Sequence, residues 1–483
     1  MDKCISRKDF LVQATGVLAT AGSISSLTGC SPRKYSKDKN KPNIILITAD
    51  DLGWKDISCY GNLDVKTPHI DRLAREGVKF QNAFVVTSSC APSRASLITG
   101  QYPHTNGVTA LAHIHKTKSL SPFHLTLADL LSEAGYNTAL MGKWHVSPYL
   151  PTSWYGYQER LSGIFGEDFW IKDIKPAVDF IHRNKDNRFY LELNFMHNHR
   201  DMYGEFTMDP DFPVDPEKIK VPEYYNYPQW PEIKADLAKY FSQTKKMDKM
   251  VGDVLNTLDN LGLAENTMVV FISDNGPPYP GLKMTSYERG IRTPLLIRYP
   301  AKIKKSEQKA MVESIDLMPT ILEGVGIPVP DSLEGKSFWP AIAGNPGGYT
   351  EKEEIFTEMT AHVEYIPTRS VRTRKYKYIR NYSNIAFGLD QNAHMEWAHR
   401  LVQMEDQPWT KPRLMEELYD IENDPNERKN LVYEEKYADI LQDMRSRLDA
   451  QMKKTKDFLY GKAFTYDYNA GDYVKVAPGT KYK

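Results

Sequence analysis

Several short stretches of this 483-residue chain carry residues whose types and spacing could do chemistry together. Ser88-Ser89-Cys90-Ala91-Pro92-Ser93-Arg94-Ala95-Ser96-Leu97-Ile98-Thr99-Gly100 sets a cysteine just after the apolar run Phe84-Val85-Val86 and ahead of a helix-forming segment. Proline suits the first turn of a helix, where its missing N–H costs nothing. Cys90 is therefore expected at a helix N-terminus, where free amides and the macrodipole favour an anion. With Arg94 beside it, a nucleophile there is arranged for attack on a charged tetrahedral group. Asp50-Asp51 and Asp274-Asn275 each follow an apolar run of strand length. Either pair alone reads as a turn or helix cap; together they offer three carboxylates and an amide oxygen, a hard-oxygen set suited to Ca²⁺ or Mg²⁺.

The elements that must position these residues alternate between strand and helix patterns. Asn43-Ile44-Ile45-Leu46-Ile47-Thr48 is a continuous apolar run, as in a central parallel strand. Further strands are expected at 138–141, 189–195, 268–273 and 294–298, and short helices at 69–76 and 126–134. A long amphipathic helix is expected over 236–261, with Leu237, Phe241, Met247, Val251, Val254 and Leu258 at helical spacing. This order predicts an α/β domain with a large, mostly parallel sheet flanked by helices. Ligands bind such sheets at the C-terminal ends of the strands, where both aspartate motifs fall. Residues 200–231, rich in Pro, Tyr and Asp, read as a functional loop over that end. Near residue 365 the character changes. Ser370 to Arg380 alternates like one solvent-facing strand, Glu417-Leu418-Tyr419-Asp420 suggests another, and a helix is expected over 437–452. A smaller antiparallel subdomain with a packed helix fits this. The expected division is a signal segment over 1–30, a flexible tether over 31–41, a catalytic α/β domain over 42–365 and a C-terminal α+β subdomain over 366–483.

The pattern Cys-x-Pro-Ser-Arg-x-x-x-x-Thr-Gly starting at Cys90 resembles the signature of the type I sulfatases, and the resemblance extends over most of residues 42–300. It implies an alkaline-phosphatase-like fold and a sulfuric ester hydrolase activity. In that family the cysteine is oxidised to formylglycine by a cytoplasmic maturase, and one hydroxyl of the hydrated aldehyde attacks sulfur. The resemblance makes Asp50, Asp51, Asp274 and Asn275 the metal ligands, usually for calcium, with an oxygen of modified Cys90 completing the shell. Gly142-Lys143-Trp144-His145 matches the family's Gly-Lys-x-His element, in which the lysine contacts sulfate and the histidine bonds the hydrate. Lys283 falls at the second sulfate-binding cation, and His199, protonated, at the leaving-group side. Calcium, Arg94, Lys143 and Lys283 would neutralise the sulfate oxygens that shield sulfur, and Asp274 would accept the proton of the attacking hydroxyl. His113, His115, His197 and Arg200 are candidate pocket residues, His197 being equally well explained as a structural histidine.

Within the family the local sequence is most similar to the N-sulfoglucosamine sulfohydrolases, through Lys143-Trp144-His145-Val146, His199-Arg200 and Asp274-Asn275-Gly276-Pro277. That implies a heparan- or heparin-type saccharide as substrate. Two departures stand out: Met196-His197-Asn198 replaces the His-Asp-Pro that usually precedes the histidine, and Gly290-Ile291-Arg292 belongs to the wider O-sulfatase pattern. An O-sulfatase on another sulfated carbohydrate is therefore the alternative, followed by a phosphate or phosphonate monoesterase and an inactive glycan-binding lipoprotein. The 62 basic and 62 acidic residues leave no net charge, so no global field draws the chain to nucleic acid. The N-terminus reads as an export signal: Lys3, Arg7 and Lys8 precede a weakly apolar stretch ending in Leu27-Thr28-Gly29-Cys30, like a bacterial lipobox with Cys30 acylated. The expected location is a lipid-anchored periplasmic or outer-membrane-associated protein, touching membrane only through that anchor. No structural disulfide is expected, although sequence leaves a Cys59–Cys90 bridge open.

Overall fold

A computed structural model describes residues 42–113, 119–162, 170–384, 394–404, 413–462, 464–467 and 472–475. The expected signal, tether and Cys30 lie outside these residues, as does His115. Among the described residues no helix is long and apolar enough to cross a membrane.

Eight strands form the main sheet: β1 (Asn43–Ala49), β2 (Val78–Phe84), β3 (Asn137–Gly142), β4 (Glu159–Arg160), β5 (Phe189–Phe195), β6 (Thr267–Ser273), β7 (Leu295–Arg298) and β8 (Ser306–Glu313). Their order is β4-β3-β5-β1-β6-β7-β2-β8. All neighbours pair in parallel except β7, which runs against both β6 and β2. Every residue of β1, β5 and β6 is buried. Successive side chains of a strand point to opposite faces, so a strand covered on both sides must be apolar at every position. Ile45 and Ile47 accordingly join the core under the long helix Pro231–Asn260, and Ile44 and Leu46 the core on the opposite face, with the Leu317–Gly324 helix. A fully buried Leu or Ile contributes about 1.5–3 kcal/mol, so these central strands anchor the fold.

The long helix begins at Pro231 rather than Asp236, because Trp230 is extended and proline is pre-set for a first turn. The 200–231 segment is no open flap: Ile219, Val221, Tyr224, Tyr225 and Tyr227 are buried in the core beneath that helix.

A second sheet, in the order β12-β11-β10-β9, is antiparallel throughout: β9 (Glu354–Ala361), β10 (Tyr365–Thr373), β11 (Tyr376–Asn381) and β12 (Glu416–Asp420). The helix Ala438–Lys454 packs on it through Leu441, Met444, Leu448 and Met452. Its first strand starts at Glu354, ahead of position 365. The alternating stretch 370–380 is not one solvent-facing strand but a hairpin, β10 turning into β11 at Arg374-Lys375. Two of its charged residues, Arg372 and Lys377, are buried because they meet partners. Arg372 Nε donates to Glu288 Oε1 at 3.1 Å, and Lys377 Nζ lies 2.9 Å from both Glu288 and Glu427. The pairs to Glu288 clamp the second sheet to the part of the chain that carries the main sheet.

Candidate active site

Four adjacent parallel strands, β3-β5-β1-β6, end side by side and deliver Lys143, the 197–200 segment, Asp50-Asp51 and Asp274-Asn275 to one place. The ladder continues past the strand ends: Asp50 N–H reaches Phe195 O at 2.9 Å, Asp274 N–H reaches Ala49 O at 3.0 Å, and Lys143 N–H reaches Asn194 O at 3.1 Å. Gly142 permits the last contact. Its φ is +89°, and a Cβ there would lie 2.1 Å from Asn194 O. The fifth contribution comes from the helix Cys90–Thr99, at whose first residue Cys90 sits, as the sequence predicts.

The side chains converge in alternating sign. Lys143 Nζ lies 2.5 Å from Asp50 Oδ2, Lys283 Nζ 2.8 Å from Asp51 Oδ2, and Arg94 Nε 2.8 Å from Asp274 Oδ2. Arg94 Nη2 adds a second ion pair to Asp50 at 3.5 Å. Cys90 Sγ stands 3.6 Å from Asp50 Oδ1 and 3.9 Å from Asp51 Oδ1, and His199 Nε2 lies 3.9 Å from Asp51 Oδ2. The three carboxylates carry oxygens within 4.8 Å of one another, and none is exposed. Asp51 (φ +58°) and His145 (φ +53°) occupy the left-handed region that residues with a Cβ avoid. Such strain persists where the surroundings over-determine it, and it clusters at functional sites.

Three carboxylates face three cations, so the formal charge of the cluster is zero. A divalent cation would make it net positive, suited to an anionic substrate. The residues fit such an ion. The donor set is all oxygen. Asn275 donates Nδ2–H to Asp51 Oδ1 at 2.6 Å, while its own Oδ1 is buried without a hydrogen bond among the described residues. Amide orientation follows the local network, and an ion beside Asp51 would turn that oxygen inward. Both Arg94 terminal nitrogens are likewise buried without hydrogen bonds among the described residues, leaving donors to spare for an anion.

The electrostatics disfavour a thiolate at Cys90. Burial pushes its thiol up, and Lys143 and Lys283 do not offset burial plus the repulsion of Asp50 and Asp51. The helix N-terminus thus leaves the cysteine a protonated thiol. Burial also opposes ionisation of Asp50, but Lys143, Arg94 and Lys283 outweigh it and hold this carboxyl well below the usual range. Burial and the neighbouring carboxylates raise Asp274 to about 7, against the pull of Arg94. Burial, with Lys143 and Lys283, pushes His199 down to about 3. His199 is therefore neutral in this state rather than the protonated acid expected; its Nδ1 lies 2.5 Å from Arg200 O.

The remaining candidates separate. His145 Nε2 meets His113 Nδ1 at 2.7 Å, and His145 Nδ1 is buried without a hydrogen bond among the described residues. Burial, Lys143 and His113 keep His145 neutral. His197 is buried against Phe195, and the charges that bear on it belong to Lys246 and Asp209, not to the cluster. Arg200 is committed elsewhere: it pairs with Asp236 through Nη1 at 3.1 Å and Nη2 at 2.6 Å, and donates to Pro278 O and Gly204 O. It clamps the 200–231 segment to the long helix instead of facing a ligand.

One neighbour escaped the sequence reading. His362, just past β9, places Nδ1 2.8 Å from Ser89 Oγ, beside the start of the Cys90 helix. After burial, the charges that depress its basicity are those of Lys283 and Lys143, so the second sheet helps wall this cluster. A lone histidine 273 positions from its partner leaves no local signal. Cys59 and Cys90 are both free thiols, so they form no bridge.

The sequence pattern of the sulfatase family matches residues 42–327, and that of the N-sulphoglucosamine sulphohydrolase C-terminal region matches residues 282–392. Human N-sulphoglucosamine sulphohydrolase is 33% identical, the alignment covering 86% of this chain and 90% of that protein. An N-acetylgalactosamine-6-O-sulfatase of Bacteroides thetaiotaomicron is 26% identical, covering 88% and 97%. A solved structure of an enzyme with its substrate D-glucosamine-2-N,6-O-disulfate superposes with a TM-score of 0.66 at 22% identity, covering 86% of this chain and 98% of that one. Family pattern, long-range identity and shared fold agree: the chain belongs to the sulfatase family and is a sulfuric ester hydrolase.

Proposed function

We propose that this protein is a formylglycine-dependent sulfatase of glycosaminoglycan-type saccharides, with the N-sulfate of glucosamine in heparan- or heparin-derived chains as its target. The observation that carries the reading is the convergence of Cys90 with three carboxylates, three cations and His199 on neighbouring strand ends. The buried, protonated thiol supports conversion of Cys90, because the residue as encoded offers no thiolate nucleophile. The 33% identity to a human N-sulphoglucosamine sulphohydrolase supports the substrate.

When formed, the hydrated aldehyde supplies the attacking hydroxyl and a second hydroxyl through which sulfate is expelled; a Ca²⁺ or Mg²⁺ held by Asp50, Asp51, Asp274 and Asn275 supplies charge neutralisation. The chain's own side chains do the rest. Lys143, Lys283 and Arg94 bind and orient the sulfate oxygens, fixing the in-line approach. Asp274 accepts the proton of the attacking hydroxyl. His145, held neutral against His113, is placed to take a proton when sulfate leaves. An anion among these cations raises His199 from its depressed state toward the protonated form that assists the leaving amine. We further propose that a maturase acts on the chain before export, and that Cys30 carries a lipid anchor at the periplasmic or outer-membrane surface.

The test is sulfate release across a panel of N-sulfoglucosamine and 2-O-, 3-O- and 6-O-sulfated sugars, using protein produced with a maturase. Release from N-sulfoglucosamine is expected. Cleavage confined to an O-sulfated sugar would establish the alternative favoured by Gly290-Ile291-Arg292 and the 26% identical O-sulfatase. Cleavage of phosphate monoesters alone, or binding without turnover, would overturn the reading.

A further inference from the structure

Resting on the reading of Asp51 as a metal ligand, we propose that Tyr240 is a positioning residue that sets this ligand through its backbone, with Asp56 holding Tyr240 from behind. The Asp50–Gly53 turn is gripped from two sides. On the β6 side, Asp51 N–H donates to Asp274 Oδ1 at 3.1 Å and Leu52 N–H to Ser273 Oγ at 3.0 Å. On the other, the long helix presents Tyr240. Its hydroxyl accepts from Gly53 N–H at 3.1 Å and shares its one proton between Asp51 O at 3.1 Å and Asp56 Oδ2 at 3.0 Å. Asp56 in turn accepts from Tyr225 Oη at 2.9 Å, and its own N–H reaches Gly53 O at 2.9 Å.

This hydroxyl therefore holds the carbonyl of Asp51 itself and the N–H of Gly53, pinning the chain immediately after the residue that takes the left-handed conformation. Asp51, Gly53, Asp56 and Tyr240 are all buried, so no water substitutes for it easily. The space is filled as well: a Cβ on Gly53 would fall 2.1 Å from Tyr224 Oη and 2.2 Å from Asp56 Oδ2. The Tyr240 ring is fixed separately, packing edge-on to Phe206 at 5.4 Å and to Tyr279 at 5.8 Å between centroids. Removing only the hydroxyl leaves that packing in place and frees the Asp51 backbone to relax. Groups that orient ligands in this way typically change metal affinity by about 10–100-fold when lost.

The experiment is calorimetric titration of the metal-free full-length protein with Ca²⁺ and with Mg²⁺, comparing wild type, Tyr240→Phe and Tyr225→Phe. Tyr240→Phe is expected to weaken binding of the tighter ion at least tenfold while sulfate release recovers at saturating ion. Tyr225→Phe withdraws a bond from Asp56 without touching the turn, and is expected to lower thermal stability with unchanged ion affinity. If Tyr240→Phe folds only with ion present, release of the ion from the folded, ion-loaded protein into excess chelator supplies the comparison, and it must be at least tenfold faster than in wild type. An unchanged affinity in Tyr240→Phe overturns the proposal alone. A wild type that binds neither ion overturns it together with the metal reading.

Discussion

Replacing Lys143 with methionine should move stability and metal response in opposite directions. Lys143 Nζ lies 2.5 Å from Asp50 Oδ2, and both side chains are almost wholly buried. At an effective dielectric of about 20, unit charges about 4 Å apart interact by about 4 kcal/mol. Stranding one member of a buried pair costs about 3–5 kcal/mol. Arg94 Nη2 still faces Asp50 at 3.5 Å, which favours the lower figure. The metal-free variant should thus be about 3 kcal/mol less stable than wild type by urea unfolding at pH 7. A divalent ion then takes the variant's cluster from a formal charge of −1 to +1, against 0 to +2 in wild type, so adding Ca²⁺ or Mg²⁺ should raise the melting temperature of Lys143→Met more than that of wild type. Sulfate release should nonetheless fall about 10²–10³-fold, as when one oxyanion-stabilising group is removed. Equal stabilisation of both proteins by the ion would refute the neutralisation argument. So would a metal-free variant as stable as wild type.

Two further outcomes follow from buried charges. His104 pairs with Glu358, and although burial opposes its protonation, Glu358 and Asp457 raise its basicity above the usual histidine value. A folded-state pKa above the unfolded one gives stability that is complete below about pH 6.5 and is lost as pH rises through the folded value. Urea unfolding should show wild type losing more stability than His104→Gln between pH 6 and pH 9; parallel losses would contradict the pairing. Arg200→Met leaves Asp236 buried and unpaired, so it should lower stability by about 3–5 kcal/mol with the KM of the folded fraction unchanged. A raised KM without loss of stability would instead make Arg200 a substrate contact.

What was legible in the sequence followed from uniform burial. β1, β5 and β6 are covered on both faces, and such strands leave unbroken apolar runs. The aspartate motifs then fell at their ends by chain position alone. β8 escaped notice because its first half, Ser306-Glu307-Gln308-Lys309, lies at the open edge of the sheet and is largely exposed. The β10–β11 hairpin looked like one strand because Arg374-Lys375 lacks the glycine or asparagine that marks tight hairpins. Its buried Arg372 and Lys377 mimic a solvent face, since their partners Glu288 and Glu427 are remote in sequence. Arg200 sat beside His199 in the pattern, yet its side chain turns to Asp236. Spacing located the segment, and only packing could separate ligand from clamp. His362 reaches the site through a tertiary contact that no local pattern reports.

The central claim is that Cys90 acts as the precursor of an aldehyde and not as a thiol. Mass analysis of the Cys90 peptide, from protein whose sulfate release has been measured in the same preparation, tests it most directly. The account predicts that activity scales with the fraction of that peptide carrying the thiol-to-aldehyde mass change, and that Cys90→Ala is inactive. Full activity in a preparation whose Cys90 is wholly an unmodified thiol would contradict it.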